Sequence, residues 1–370
     1  MDLGIRQIEC YSHAFDYTYD RVQAYNVASL KSASEEGTVQ IEQLCDHHSS
    51  LRTLRRIKHS FKLQQLSGRH QQSVYNLIDR IAARYAGRHV PSSGIFRPNV
   101  GQYRFHLTNG KTVNAAIDSQ DSGDIGSPEL LDWSDIYFKT NKWANRDYPA
   151  KVRPLANSNP LILNNISKLS EYRKSPKLRD LCCFVRVWGG ANEIDGIEHN
   201  IRLIESVGRA KITRFLGAYL VAGDIGAIES RLTAQSIPTT RAPLKRDKLW
   251  GVSASSRINV IRLGMHDCIP WRMFDLLCMG AVVVLDQMPM TVWPQPLVAG
   301  ENYVSLDCPP TNGDCFHSRY ESIPELLEFT LSNQPLIDHI ARANADYFDR
   351  YLAPKTFGEN IISQVLLGQE

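Results

Sequence analysis

Two charged residues, Arg272 and Asp275, stand three positions apart in the segment PWRMFDLLCM. Residues at this spacing lie on one face of a helix. An arginine in the first turn can reach a diphosphate bound at the helix N-terminus, and the acid can accept hydrogen bonds from ribose hydroxyls. The pair therefore predicts a nucleotide site, and a surface ion pair between the two side chains is the structural alternative.

The segments around this pair predict a strand–helix–strand unit. RINVIRL is typical of a buried strand, Pro270 suits the first position of a helix, Gly280 ends that helix, and AVVVLD predicts the next strand. In such a unit the loop after the first strand meets a helix N-terminus, whose backbone N–H groups and dipole favour a phosphate. We therefore expect a ligand at the loop GMHDCI.

Three residues of this loop are candidates for contact with the ligand. Gly264 begins the loop, and His266 and Asp267 follow it. His266 could donate a hydrogen bond to the diphosphate or pack within the loop. Asp267 could cap the following helix, which we favour over contact with the ligand.

The segment resembles the donor-binding part of GT-B glycosyltransferases, especially the exostosin-like and CAP10-like families. In those families an arginine is followed by an acid three residues later and by a glycine eight residues after the arginine, before an apolar strand. Arg272, Asp275 and Gly280 match that spacing, although the families more often have glutamate at the acidic position. The resemblance covers about residues 250–310 and is weaker from 181 to 250.

This resemblance implies an α/β protein with two Rossmann-like domains that face a cleft, the N-terminal one irregular. It implies transfer from a nucleotide-sugar donor to a carbohydrate or other hydroxyl acceptor. We expect no metal or other cofactor, because no convincing carboxylate cluster for a divalent ion stands beside the proposed site. The resemblance also implies that Arg186 and Gly189, at the end of the strand LCCFVRVW, lie against the donor, although a glycine pair equally suits an ordinary turn.

Three aspartates are candidates for the group that takes the acceptor proton. An inverting transfer requires a carboxylate or histidine for this step. Asp118 closes a predicted strand, and Asp121 and Asp124 lie in the loop beyond it, so Asp118 and Asp121 are our catalytic candidates and His106 is the next. The alternative is that these aspartates form turns and accept local backbone N–H groups.

The length of 370 residues is enough for two domains. We predict an acceptor-side α/β domain over 1–165, in which Asn109-Gly110 forms a hairpin turn, and a nucleotide-sugar-binding domain over 175–345. The connection falls in the Asn-, Pro- and Lys-rich stretch 141–180. Helices over 346–370 are expected to pack back on the N-terminal domain.

The composition excludes several classes of protein. Hydrophobic residues make up 43% and charged residues 22%, as in an average globular protein. No apolar run approaches the ~20 residues needed to span a bilayer, and the N-terminus lacks the apolar core of a signal peptide, so we expect a cytoplasmic protein. Cys308, Cys315 and His317 come nearest to a zinc pattern, but no second Cys-x-x-Cys element accompanies them.

The net charge of +3 is too small to predict a nucleic-acid partner. The basic stretch RTLRRIKHSFK is best explained as a solvated helix face, the alternative being contact with an anionic acceptor or with a membrane surface. Two other functions stay open. A Rossmann oxidoreductase would share the strand–helix–strand unit, although no G-x-G-x-x-G follows a strand, and a non-catalytic carbohydrate- or nucleotide-binding module would share the whole fold.

Overall fold

The computed structural model describes residues 4–12, 19–43, 100–187, 194–221, 223–264, 268–306 and 316–368, and the single positions 57, 74, 77, 78 and 81. Its contacts divide the chain into two compact units. Unit 1 comprises Met1–Leu161, Thr291–Pro294 and Tyr351–Glu370, and unit 2 comprises Ile162–Met290 and Gln295–Arg350. The C-terminal segment therefore belongs to the same unit as the N-terminal one.

Strands and helices alternate along most of the described chain. The strands of unit 1 are β1 (Ile5–Ser12), β2 (Val39–Gln43), β3 (Val100–Leu107), β4 (Thr112–Asp118), β5 (Ile136–Lys139) and β6 (Val152–Pro154). The strands of unit 2 are β7 (Arg179–Val187), β8 (Arg214–Leu220), β9 (Thr239–Thr240), β10 (Ser256–Ile261), β11 (Val282–Leu285) and β12 (Tyr303–Ser305). The helices are α1 (Tyr19–Ala33), α2 (Pro128–Trp133), α3 (Ile166–Glu171), α4 (Ile194–Arg209), α5 (Ile225–Ala234), α6 (Arg246–Ala254), α7 (Trp271–Cys278), α8 (Phe316–Ser332), α9 (Gln334–Tyr347) and α10 (Pro354–Leu367).

Unit 1 contains a mixed sheet in the order β2-β1-β3-β4-β5-β6. The predicted hairpin is confirmed: β3 and β4 are antiparallel, Gly110 has a φ of +86°, and the Asn109 side chain accepts a hydrogen bond from the Lys111 N–H. Asparagine and glycine tolerate the left-handed backbone that such a turn requires. Strand β5 then runs parallel to β4, with Asp118 opposite Lys139 at the carboxyl ends of both strands.

Helix α10 packs on helix α1 within unit 1. It begins at Pro354, because proline has no N–H to lose in the first helical turn. The buried Tyr25 side chain of α1 contacts the Phe357 ring edge-on and donates a hydrogen bond to the Leu352 carbonyl. Gly358 faces the same helix at a distance that leaves no room for a side chain.

Unit 2 contains a sheet whose neighbouring strands are all parallel, in the order β12-β11-β10-β7-β8-β9. In chain order within the unit this is 3-2-1-4-5-6, the order of doubly wound nucleotide-binding domains. Strands β7, β10 and β11 are buried over most of their length and pack against α4 and α8 among other elements, as expected for near-continuous apolar strands of a parallel sheet. The prediction of two α/β domains, the N-terminal one irregular, is confirmed.

Within the part of the chain that the structure describes, no helix is both long enough and apolar enough to cross a membrane. Most of the basic stretch RTLRRIKHSFK, Cys308 and Cys315 lie outside the described residues.

Gly358 offers a direct test of the packing of α10 on α1. A Cβ at this position would stand 2.1 Å from the Ser29 carbonyl oxygen and 2.8 Å from the Ala33 Cβ. We predict that Gly358→Ala lowers the free energy of unfolding by about 1–3 kcal/mol, the usual cost of overpacking, in urea denaturation. The control is Gly251→Ala in α6, where no neighbouring atom lies within 4 Å and alanine should stabilise the helix by about 0.5–1 kcal/mol. Equal stabilisation by both substitutions would contradict the packing.

Candidate functional site

The strand order of unit 2 reverses between β7 and β10. In open α/β sheets, ligands bind outside the carboxyl ends of the strands at such a switch point. Arg186 is exposed at the penultimate position of β7, and the half-buried Arg262 directly follows β10. The register pairs Val260 with Cys183, so the two strands end side by side. Two guanidinium groups therefore belong to the edge where an anionic ligand is expected.

Sequence reasoning named Arg186 but missed Arg262. The strand pattern of RINVIRL by itself assigns no role to Arg262 near its end. The signal that could have found Arg262 is its position, because it is a cation at the carboxyl end of the first strand of the predicted strand–helix–strand unit.

A hydrogen bond joins the two described residues that flank the centre of the loop after β10. The Gly264 N–H donates to the Cys268 carbonyl at 2.8 Å, and a side chain on Gly264 would meet the Cys268 thiol. His266 and Asp267, like Gly189 after β7, lie outside the described residues, and their contacts with a donor remain predictions.

Arg272 lies in the first turn of α7, where its side chain makes contacts within unit 2. Its Nη1 atom donates to the Phe184 carbonyl of β7 at 3.1 Å, and its Nη2 atom donates to the Ser253 hydroxyl of α6 at 3.1 Å. The Nε atom is buried and makes no hydrogen bond to any described residue. Arg272 thus joins α7 to β7 and α6, and its contact with a diphosphate remains a prediction.

Asp275 also connects helices of unit 2. Its side chain is buried, and Oδ2 accepts a hydrogen bond from the indole N–H of the buried Trp250 at 2.8 Å. The alternative of a surface ion pair with Arg272 does not describe these contacts, because Asp275 is buried and Arg272 donates to β7 and α6. A contact between Asp275 and a ribose remains a prediction.

A buried polar cluster supports the same edge of the sheet. Asp286 follows β11, and its Oδ1 atom accepts the Leu263 N–H of the β10–α7 loop at 2.9 Å. Its Oδ2 atom is 2.8 Å from Nε2 of His199 in α4, whose Nδ1 is hydrogen-bonded to the Tyr320 hydroxyl of α8. This carboxylate therefore fixes the start of the proposed ligand loop to two helices.

In unit 1, the Asp118 carboxylate is enclosed by donors. Its Oδ1 accepts the Gln120 N–H at 3.0 Å, and Oδ2 accepts the Gly126 N–H and the Tyr137 hydroxyl, both at 2.8 Å. The Lys139 ammonium lies 3.2 Å from Oδ2, and both side chains of this ion pair are 0% exposed. These contacts match the alternative of an aspartate that satisfies local backbone N–H groups, and a catalytic role of Asp118 remains a prediction.

The environment of this cluster alters its ionisation. Burial lowers the pKa of Lys139, although the nearby Asp118 charge opposes that shift. Burial and the neighbouring Asp118 both raise the pKa of Tyr137, so that its hydroxyl stays protonated and acts as a donor. The cluster is thus a carboxylate surrounded by one cation, one phenol and two backbone N–H groups.

The loop after Asp118 carries the two other candidate aspartates. The Asp124 side chain is exposed and pairs with Arg146 at 2.5 Å, and this hydrogen bond lowers the pKa of Asp124. Asp121 is half-buried, and its carbonyl accepts a hydrogen bond from the Asn141 side chain. His106, the next candidate, pairs with Thr112 at the opposite end of β4 from Asp118.

Together, these observations define a doubly wound nucleotide-binding type of domain in unit 2 and a mixed α/β domain in unit 1. No protein-family model and no curated protein sequence matches the chain. Among the described residues, no group of three or more His, Cys, Asp and Glu side chains is arranged to hold a metal ion.

Several solved structures show a remote likeness. A glycosyltransferase from Rickettsia africae aligns over 64% of this chain, with 10% identity and a TM-score of 0.40. This chain spans 64% of the length of that protein, which is less than two thirds. HepE from Anabaena in complex with UDP-glucose aligns over 96% of this chain and 98% of its own, with 11% identity and a TM-score of 0.46. A putative UDP-N-acetylglucosamine 2-epimerase from Listeria monocytogenes aligns over 98% and 97%, with 14% identity and a TM-score of 0.48. At these scores the likenesses decide neither the activity nor the substrate of this chain.

The contacts of Arg272 predict a structural effect of its substitution. Arg272→Ala should lower the free energy of unfolding by about 1.5–3 kcal/mol in urea denaturation, the range for hydrogen bonds of a charged group. Arg272→Lys should recover only part of this loss, because an ammonium lacks the planar fork. The control is Arg241→Ala, which removes an exposed pair with Glu229 and should change the free energy of unfolding much less than Arg272→Ala does. Unchanged stability of Arg272→Ala together with lost nucleotide binding would instead support a direct diphosphate contact.

Proposed function

We propose that this protein is a nucleotide-sugar-dependent glycosyltransferase of the GT-B class, related to the exostosin-like and CAP10-like families. The observation that carries the proposal is the switch point of unit 2, where Arg186 and Arg262 belong to the carboxyl ends of the two central strands. The spacing of Arg272, Asp275 and Gly280 in the adjoining strand–helix–strand unit supports it.

The charges at this edge suit a donor with a diphosphate. Guanidinium groups bind phosphate oxygens through paired hydrogen bonds, and the N-terminus of α7 adds backbone N–H groups and a favourable dipole. When the glycosidic bond of a sugar nucleotide breaks, negative charge develops on the leaving diphosphate, and cations fixed in place stabilise it. The hydrogen bond from Leu263 to Asp286 holds the start of the β10–α7 loop in position for this role.

We propose that an aspartate at the end of β4 or in the loop beyond it takes the acceptor proton. The buried Asp118 carboxylate is enclosed by four donors. Asp124 is paired with Arg146, which lowers its pKa and makes its carboxylate a weaker base. Asp121 is half-buried and has contacts of its own, and it remains, with Asp118, a candidate for the general base of an inverting transfer.

The two alternative functions make different predictions. An oxidoreductase would bind a nicotinamide dinucleotide at the same switch point, because the strand order also suits that ligand. A non-catalytic module would bind the nucleotide sugar without consuming it. Binding and turnover must therefore be measured separately.

We predict that UDP or GDP, but not NAD⁺, raises the thermal unfolding temperature. A ligand at a hundred times its dissociation constant stabilises a protein by ~2.7 kcal/mol, which is readily detected. UDP-glucose, the ligand in the HepE structure, is the first sugar nucleotide to test, with GDP- and CMP-sugars beside it.

Arg262→Ala and Arg186→Ala should each weaken binding by about 1.5–3 kcal/mol, roughly 10- to 150-fold, whereas the control Arg241→Ala should not. A shift with NAD⁺ alone would contradict the proposal, and nucleotide binding without release of the nucleoside diphosphate in the presence of acceptors would favour the binding module.

We predict that sugar transfer continues in EDTA. Arg186, Arg262 and the N–H groups of α7 supply the positive charge that the leaving diphosphate needs. Initial rates with and without EDTA should agree within about twofold. Removal of a major electrostatic stabiliser would instead lower the rate by about 10²-fold or more. A complete loss of turnover that magnesium or manganese restores would contradict this arrangement.

A further inference from the structure

A histidine and an aspartate form a buried pair at the carboxyl edge of the sheet in unit 2. His199 of α4 and Asp286, which follows β11, are 4% and 1% exposed. Nε2 of His199 lies 2.8 Å from Oδ2 of Asp286, and Nδ1 is hydrogen-bonded to the Tyr320 hydroxyl of α8. Both ring nitrogens are therefore engaged inside the protein, where an unmade hydrogen bond would be costly.

The hydrogen bonds of this pair have a fixed direction. Oδ1 of Asp286 accepts the Leu263 N–H at 2.9 Å and the Gln287 N–H at 3.1 Å, and Oδ2 faces His199. Because a carboxylate only accepts, Nε2 of His199 is the donor, and Nδ1 of the neutral imidazole accepts from the Tyr320 hydroxyl. The orientation of the Asp286 carboxylate therefore depends on the imidazole, which Tyr320 holds from its other side.

Asp286 in turn holds the backbone on both sides of Arg262. Its N–H donates to the Ile261 carbonyl at 3.3 Å, and its side chain accepts the N–H of Leu263. Because a peptide unit is planar, these two hydrogen bonds fix both peptide groups that flank the Arg262 Cα. The direction in which the Arg262 side chain leaves the end of β10 therefore depends on Asp286.

We propose that His199 is a positioning residue of the nucleotide site, which orients the Asp286 carboxylate and through it places Arg262 for a diphosphate. The proposal rests on the function proposed above, in which Arg262 binds the donor. His199 acts through Asp286 and not through contact with the nucleotide. Its effect on binding should therefore depend on the presence of Arg262.

Two substitutions of His199 separate hydrogen bonding from the filling of space. His199→Leu keeps an apolar side chain in the buried place but removes the donor to Asp286. His199→Gln can donate through its amide nitrogen and accept through its amide oxygen, as the imidazole does. The control is Asn344→Leu, because Asn344 is also buried in unit 2 but donates to the Ala281 carbonyl, at the opposite end of β11 from Asp286.

The first measurement is hydrogen exchange of the Leu263 amide without a ligand. The reference is the Ala218 amide, which donates to the Pro238 carbonyl at 2.9 Å elsewhere in the same sheet. His199→Leu should speed the exchange of Leu263 about tenfold or more relative to Ala218, which corresponds to the loss of about one hydrogen bond. His199→Gln should recover most of this protection, and Asn344→Leu should alter both amides alike.

The second measurement is the Kd of UDP and of GDP by calorimetry. His199→Leu should weaken binding about tenfold or more and His199→Gln much less, whereas Asn344→Leu should leave the Kd within about twofold. In an Arg262→Ala background, His199→Leu should weaken binding by less than about threefold, because two residues that act in series have non-additive effects. In an Arg186→Ala background it should still cost about tenfold, because Arg186 lies on a different strand, β7.

A second variant covers the case in which His199→Leu does not fold. Tyr320→Phe removes only the hydroxyl that is hydrogen-bonded to Nδ1 of His199. It should change the exchange of Leu263 and the Kd in the same direction as His199→Leu, by a smaller factor.

Three results would overturn the proposal. One is wild-type protection of the Leu263 amide, relative to Ala218, in the folded variants that lose these hydrogen bonds. Another is an unchanged Kd although the Leu263 amide is exposed to exchange. The third is a full loss of affinity from His199→Leu in the Arg262→Ala background, which would mean that His199 does not act through Arg262. A wild-type protein that binds neither UDP nor GDP would instead refute the proposed function, while exchange would still decide whether His199 holds the backbone at Leu263.

Discussion

The parallel pairing of β7 with β10 is the interaction on which the rest of unit 2 depends. From β7 the chain adds β8 and β9 on one side of the sheet, and it then adds β10, β11 and β12 on the other side. Strands β7 and β10 therefore lie side by side at the point where ligands bind in open α/β sheets. Arg186 and Arg262 lie on neighbouring strands at that edge for this reason. Had β10 paired with β9, two other strands would lie between the two arginines.

Around this edge, polar side chains connect helices to the sheet. Arg272 contacts β7 and α6, Asp275 contacts α6 through Trp250, and Asp286 joins the β10–α7 loop to His199. Each contact lies in a buried or half-buried place, where an unmade hydrogen bond would be costly. The described residues on either side of the β10–α7 loop are therefore anchored to the sheet and to neighbouring helices.

The sequence predicted the features of the fold that depend on residues close together in the chain. The Asn109-Gly110 turn, the end of β4 at Asp118 and the strand–helix–strand unit around α7 all follow from local signals, and the structure confirms them. The partners of the candidate residues could not be predicted in this way. His199 and Asp286 are 87 positions apart, and Arg272 reaches Phe184 across 88, so only the folded sheet brings them together. Burial was the other missing quantity: the sequence placed Asp118 at a strand end but gave no sign that Lys139 encloses it.

Three aspartates within one short stretch show how environment divides a single side-chain type into separate roles. Asp118 is surrounded by donors and buried beside Lys139, which leaves no open path to an acceptor hydroxyl. Asp124 is exposed, and Arg146 keeps its carboxylate ionised and weakly basic. A general base needs both access to its proton and enough basicity to take it, and neither of these environments supplies both.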